Sequence, residues 1–466
     1  LELPYSKEEE REVLNNFVVT DQLLGDISLV SNAYVELAQE LTCGSNESGY
    51  GINILAGFNP RDVVPKHGPG AVASGEKGDS KWVFKTHYNS IHQVYPYYEF
   101  YMVGWGKELE DRKEWYNGLT RKETGTAKVV LVPKDSRGPR LISMEPLEYM
   151  WLQQGVGVKL SHYLETNKFS GGQINFRDQT VNQRLALESS VTGDYATLDL
   201  KDASDRVSRE LVRRIFRGRP DVLRALMALR TNDTELPDGR KVQLNKFAPM
   251  GSALCFPVEA YVFWIIVVSA ITRQYVRLPQ QVMKQVYVYG DDIIVPTRYA
   301  RTAIRALESV GLKVNTSKSC MTGRFRESCG VDAYNGVNVT PLRLKTLWSG
   351  KKSDASALAA YAASANAFGQ RGYTKLATLL WKKIEGLYGQ IPWGTARAPY
   401  VCKVVSDGYK AMLLNRAEFK SRWNEKLQRL EFKFLRIVPK KIGTKLDCWI
   451  RLLRNLTSGA GDDPSK

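Results

Sequence analysis

Histidine is scarce in this chain: four in 466 residues, His67, His87, His92 and His162. A histidine-built metal centre therefore has little support. The six cysteines (Cys43, Cys255, Cys320, Cys329, Cys402, Cys448) are scattered and form no C-x-x-C pair, which argues against zinc and for a reducing compartment. Long apolar runs are missing too. The longest, 260–271, is too short to cross a bilayer and reads as a core helix. Leu1, Glu2, Leu3 and Pro4 carry neither a charged leader nor an apolar stretch, so no secretory signal is expected, and the absent initiator Met suggests a start inside a longer product. With no internal repeat and no long low-complexity linker, the lobes are expected to form one integrated body.

What the chain has is positive charge. Sixty-six Lys and Arg face 49 Asp and Glu, a net charge of +17 with a pI near 9.4. An excess of that size points to a polyanion, nucleic acid first and an anionic membrane surface second. Hydrophobic content of 43% and charged content of 25% are those of a globular protein, long enough for a large core in two to four lobes.

Residues 1–125 read as mixed and loop-rich, with glycines concentrated from His67 to Gly78. Trp82, Phe84, Tyr88, Tyr95, Tyr97, Tyr98, Phe100 and Tyr101 follow; they either stack on bases or pack a core. Residues 128–132 and 140–143 read as strands flanking a turn at 135–139. Ser208 is placed to cap a helix to about Phe216, whose Arg209, Arg213, Arg214 and Arg217 meet either solvent or a phosphate backbone. Pro237-Asp238-Gly239 marks a turn in a hairpin over 235–244, and a long apolar helix is expected from Pro249 to about Ile271. Residues 298–310 read as an amphipathic helix stopped by Gly311. Beyond 331 the pattern looks predominantly helical, including 356–368 and 419–436.

Tyr289-Gly290-Asp291-Asp292 places two carboxylates at a glycine turn between β-prone runs, 286–288 and 293–295, so the pair should crown a hairpin. Asp199, Asp202 and Asp205 follow a second apolar lead-in, 196–198. Carboxylates on two strand ends are what two-metal phosphoryl transfer needs, and hard Mg²⁺ prefers such oxygen ligands. Asp199, Asp291 and Asp292 can supply them, Asp291 as the firmer ligand and Asp292 helping or binding through water. Lys134 and Arg140, flanking the 135–139 turn, can clamp a triphosphate. Gly251 and Ser252 offer backbone N–H groups before a helix, to cradle template or ribose or simply to start the helix. Asp205 can swing towards a ribose 2′-hydroxyl, or serve as a cap or ion-pair partner. Lys318, with Lys313 as its rival, can protonate a leaving pyrophosphate.

These pieces, in this order, resemble the motifs of a viral RNA-dependent RNA polymerase. Asp178-Gln179 with Asn182-Gln183, Ala203-Ser204-Asp205, Met250-Gly251 with Phe256 and Glu259, Phe325-Arg326-Glu327-Ser328-Cys329-Gly330 with Asp332, and Val339-Thr340-Pro341 narrow the resemblance to the replicase catalytic subunit of levivirus-type positive-strand RNA bacteriophages. It covers roughly 65–350. The resemblance implies an α/β (α+β) chain folded as a right hand with fingers, palm and thumb, the palm built on an antiparallel sheet. Fingers and the N-terminal region would span 1–190, the palm 191–330 with 218–248 as a connecting hairpin region, and a helical thumb and C-terminal region 331–456, with 457–466 a disordered tail. It implies primer-independent copying of an RNA template from ribonucleoside triphosphates in the cytoplasm of a bacterial host. Asp199, Asp291 and Asp292 carry over as ligands of two Mg²⁺ ions, for which Mn²⁺ can substitute. Family members assemble with host elongation factors Tu and Ts and a ribosomal protein, and no membrane is involved. One departure stands out: 249–260 contains no Asn of the kind many RNA polymerases use to sense ribose, which leaves Ser252 as a candidate only. Competing readings are a narna- or mitovirus-like RNA polymerase, a reverse transcriptase, and a non-catalytic basic RNA-binding scaffold.

Overall fold

The helix Cys255–Tyr275 organises the architecture. From Pro257 to Thr272 every residue is buried, because the segment is apolar on all sides and has neighbours on all sides. Among the described residues it alone is long and apolar enough to cross a membrane, and 94% of its apolar window is buried inside the protein. The expected helix start at Pro249 is corrected to Cys255. Gly251 sits at φ 119° and a bridge joins Met250 to Ser252, so 249–254 is a tight turn rather than a first helical turn.

The computed structural model describes residues 5–44, 49–102, 107–135, 138–344, 346, 348, 350–352 and 354–434. The expected tail at 457–466 and Cys448 lie outside them. Instead of one integrated body, the chain divides into two compact units, whose described parts are 5–339 and 340–434. The physical reason is that the second has its own core, built from Trp348, Leu358, Tyr361, Leu380 and Ile384 between the helices Ala355–Gln370 and Thr374–Tyr388.

Within 5–339 the core helix packs on the helices Ala33–Cys43 and Ala300–Ser309 and on the strand Tyr287–Tyr289. Buried polar ends are satisfied there: Trp264 Nε1 donates to the Val286 carbonyl at 3.1 Å and Tyr261 Oη to Thr42 Oγ1 at 2.7 Å. That strand belongs to a three-stranded antiparallel sheet in the order Tyr195–Leu198, Asp292–Pro296, Tyr287–Tyr289. Both sheet edges are covered. Thr197 bridges Cys320 and Leu200 bridges Val314 on one side, and Ile174 bridges Val288 on the other.

A second sheet has the order Gly138–Met144, Thr126–Asp135, Asp233–Glu235, Lys241–Gln243. Its first hairpin is tighter than the expected 135–139 turn: pairing continues to Asp135 and Gly138, past an irregularity between Val132 and Asp135. The amino-terminal helix Lys7–Gly25, opened by a Ser6–Glu9 capping box, packs Leu14 and Phe17 with Val129, Leu236 and Leu244 of this sheet region. The aromatic run after Gly78 resolves as core. Phe84, Tyr88, Tyr95, Tyr97 and Tyr101 are buried, while Tyr98 stays exposed.

The expected helix over 419–436 is overturned across its described residues, 419–434, while 435 and 436 lie outside them. Ser421–Asn424 and Arg429–Phe432 form an antiparallel hairpin, with Arg422 opposite Glu431 and Trp423 opposite Leu430. Polar and apolar residues alternate on the second arm, Arg429-Leu430-Glu431-Phe432, and Gln428 at φ 48° helps make the turn, which is strand logic rather than helical periodicity.

Candidate active site

Strand register assembles the acidic residues. Leu198 pairs with Ile293 and Tyr289 with Asp292, so Asp199 leaves its strand beside the tip that carries Asp291 and Asp292. Gly290 makes the tip possible. It lies at φ 60°, and a Cβ there would come within 2.2 Å of the Phe256 ring, which itself meets Tyr289 edge-on.

Each carboxylate has a different setting. Asp199 is held on both sides: its carbonyl accepts the Asn315 N–H at 2.8 Å, its N–H donates to Ser319 Oγ at 3.1 Å, and Asn315 Nδ2 donates to its Oδ2 at 2.9 Å. Lys318 Nζ lies 3.9 Å from the same oxygen. Oδ1 faces no protein donor among the described residues. Burial and then Asp291 raise the Asp199 carboxyl above its ordinary value, against the pull of Lys318 and Asn315. Asp291 is exposed at the tip. Asp292 is half-buried and turns away to accept the Cys329 N–H at 3.0 Å; burial and Asp291 push it up to about 6.

Behind Asp292 stands the hairpin of Phe325–Ser328 and Val331–Tyr334, whose turn residues Cys329 and Gly330 both have positive φ. Arg326, buried, ties it to the sheet by donating from Nε to the Tyr195 carbonyl at 2.7 Å and from Nη1 to the Gly323 and Phe325 carbonyls. The helix Thr180–Thr192 seats the other side: Asn182 Nδ2 donates to the Asp292 carbonyl at 3.4 Å and Gln183 Nε2 to the Cys329 carbonyl at 3.0 Å.

Of the basic candidates, Lys134 and Arg140 are both exposed on neighbouring strands, and Lys134 is close enough to lower the Asp199 carboxyl. Lys318 reaches Asp199. Lys313 is exposed, and its carbonyl accepts the Lys201 N–H at 2.8 Å. The Gly251–Ser252 cradle is corrected in detail. Ser252 N–H already bonds the Pro249 carbonyl, and its buried hydroxyl donates to Gln153 Oε1 at 3.2 Å. A Cβ on Gly251 would meet the Ser143 carbonyl at 2.0 Å, so glycine there serves a close backbone approach. Asp205 is ion-paired with Lys246, Nζ to Oδ1 at 3.0 Å.

Sequence reasoning gave no role to Asn315, Ser319, Cys329, Lys246 or Glu259. Glu259, buried on the core helix, is pushed up to about 8 by burial and then Asp291, and takes the Cys255 thiol at 3.5 Å. Cys329 lies inside the 325–330 motif and Asn315 three residues before Lys318, but a hydrogen bond across more than a hundred residues, or between a turn N–H and a carboxylate, leaves no periodic signal.

No group of three or more His, Cys, Asp or Glu among the described residues is arranged as a metal-holding cluster. Carboxylates that crowd one another, with one Asp199 oxygen left open, nevertheless suit a hard divalent ion that keeps much of its water.

A two-strand carboxylate site backed by a glycine-turn hairpin marks a nucleic-acid polymerase type of centre. Residues 71–349 match the RNA replicase, beta-chain family, and the chain belongs to that family. It is similar to the RNA-directed RNA polymerase subunit beta of Enterobacteria phage SP, 39% identical over 47% of this chain and 36% of that one, and to that of Escherichia virus Qbeta, 37% identical over 47% and 35%. Identity to the RNA-directed RNA polymerase beta chain of Enterobacteria phage GA is 30%, over 64% and 51%. The matched stretch thus spans about a third to a half of these relatives. Among solved structures the chain is similar to the RNA-dependent RNA polymerase from bacteriophage phi12, with a TM-score of 0.45 and 12% identity over 80% of this chain and 68% of that one.

Proposed function

We propose that this chain is the catalytic subunit of an RNA-directed RNA polymerase, joining ribonucleotides on a viral RNA template without a primer. The observation that carries the reading is the register that brings Asp199 beside Asp291 and Asp292. Asp199 and Asp291 bind the divalent ions, Mg²⁺ or Mn²⁺, and Asp292 supports them from its bond to Cys329. When bound, two such ions would lower the pKa of the attacking 3′-hydroxyl and neutralise the triphosphate. Lys134 and Arg140 hold the triphosphate in line. Lys318, 3.9 Å from Asp199, is the better placed proton donor to the departing pyrophosphate than Lys313. The free oxygen of Asp205 accepts the ribose 2′-hydroxyl, and the Gly251–Ser252 turn supports the template or sugar.

RNA, as template and product, and ribonucleoside triphosphates are the substrates, consistent with a net charge of +17. Host elongation factors Tu and Ts and a ribosomal protein join the active assembly in the bacterial cytoplasm. The test is template-dependent ribonucleotide incorporation by the purified chain with those factors and Mg²⁺. Asp291→Asn should abolish incorporation, a loss of at least about a thousandfold, while RNA binding persists; full activity in that variant would refute the assignment.

A further inference from the structure

No Asn occurs in 249–260, and the partner that Asp205 takes is Lys246. The Lys246 side chain is 0% exposed. Its Nζ lies 3.0 Å from Asp205 Oδ1, 3.8 Å from Asp21 Oδ1 and 3.4 Å over the Phe17 ring. Asp21, also buried, accepts the backbone N–H groups of Asn245 at 2.8 Å and Lys246 at 2.9 Å. Both ends of this residue are therefore gripped by the amino-terminal helix Lys7–Gly25. An ammonium taken out of water persists only where carboxylates neutralise it, so the cage has one stable arrangement.

The geometry leaves Asp205 half committed. Oδ1 is taken by Lys246, while Oδ2 has no donor among the described residues and the side chain keeps 23% of its surface exposed. The short turn Ser204–Arg206 that carries Asp205 packs on the core helix, where burial, with the Asp205 charge added, raises the Cys255 thiol and Glu259 carboxyl; Asp291 raises Glu259 as well.

We propose that Lys246, seated by Asp21 and Phe17, is the positioning residue that aims the Asp205 carboxylate at the 2′-hydroxyl of the incoming ribonucleotide. This rests on the reading of Asp205 as the ribose acceptor given above. A deoxynucleotide leaves that acceptor unpaired, and sites built to bond a substrate hydroxyl reject the analogue lacking it. The amino-terminal helix thereby sets sugar choice without touching substrate.

The experiment compares kcat/KM for ATP and 2′-deoxyATP on one RNA template, using the full chain in its active assembly. Lys246→Met should lower the ATP preference about tenfold, mainly by raising KM for ATP rather than lowering kcat. Asp205→Ala should lower it at least as much, and adding Lys246→Met to Asp205→Ala should change it no further. If Lys246→Met alone fails to fold, as a melting curve would reveal, Asp21→Asn with Lys246→Met removes the cage charge and gives the same readout. An unchanged preference in a folded Lys246 variant, beside a loss in Asp205→Ala, overturns this inference and leaves the Asp205 reading standing. Additive losses in the combined variant also overturn it. An unchanged preference in Asp205→Ala removes the ribose reading itself, and this inference with it.

Discussion

Two residues, one at the site and one in the core, show how narrowly single positions are specified. Gly290 combines a left-handed backbone with contact against the Phe256 ring. Gly290→Ala adds backbone strain of about 1–2 kcal/mol plus a ring displacement. A lower melting temperature and a loss of kcat are expected, with RNA affinity retained; wild-type kcat would refute the packing argument. Glu145 is buried, hydrogen-bonded by Thr231, and pushed by burial from its ordinary value near 4.5 up to about 7. The folded state therefore holds this proton where the unfolded chain has released it. Its contribution favours folding most below pH 4.5, falls as pH rises to 7 and is level above that, a loss of up to roughly 3 kcal/mol. Glu145→Gln should remove this slope and raise the melting temperature at pH 8. Parallel stability-against-pH curves for the two proteins would count against it.

At the scale of elements, the hairpin of Phe325–Ser328 and Val331–Tyr334 matters more than its distance along the chain from 291–292 suggests. It delivers the Cys329 N–H to Asp292 and is anchored to the Tyr195–Leu198 strand by Arg326. Removing a buried guanidinium leaves several carbonyls without donors, so Arg326→Met should cost about 3 kcal/mol or more. Activity should fall with it, because Asp292 loses its support; unfolding in denaturant alongside an incorporation assay checks both. The elements that were legible share one trait, a local pattern. The 286–295 hairpin, the Ser208 cap with its bond to Leu211, the Pro237–Gly239 turn and the Gly311 stop all follow from neighbouring residues. The misread 419–436 segment mixed charges and rings, and only cross-strand partners such as Arg422 and Glu431 decide it as a hairpin.

At the scale of the molecule, the positive charge has at least one concentrated outlet. Arg213, Arg214 and Arg217 from the helix Arg209–Ile215 and its exit join Arg224 of Pro220–Ala228 around a groove floored by Leu223 and Met227. Glu210 there is bonded to Arg214, and no ion-pair partner for Arg213 or Arg217 occurs among the described residues. RNA affinity should fall steeply with salt. Arg213→Ala with Arg217→Ala should reduce the log–log slope by about 1.4 if both meet single-strand phosphates. An unchanged slope would return these arginines to the role of a solvated helix face.

The sequence by itself determined the acidic pairs, the glycine at the hairpin tip, the order of the motifs and the apolar core helix, since each is written in adjacent residues or short periods. Tertiary structure alone decided which partners those groups take. Asn315 on Asp199, Cys329 under Asp292 and Lys246 against Asp205 are contacts between segments 37 to 116 residues apart. The physical reason is that a hydrogen bond or ion pair needs a donor at about 3 Å in space, and spacing along the chain does not encode which distant segment will bring it there.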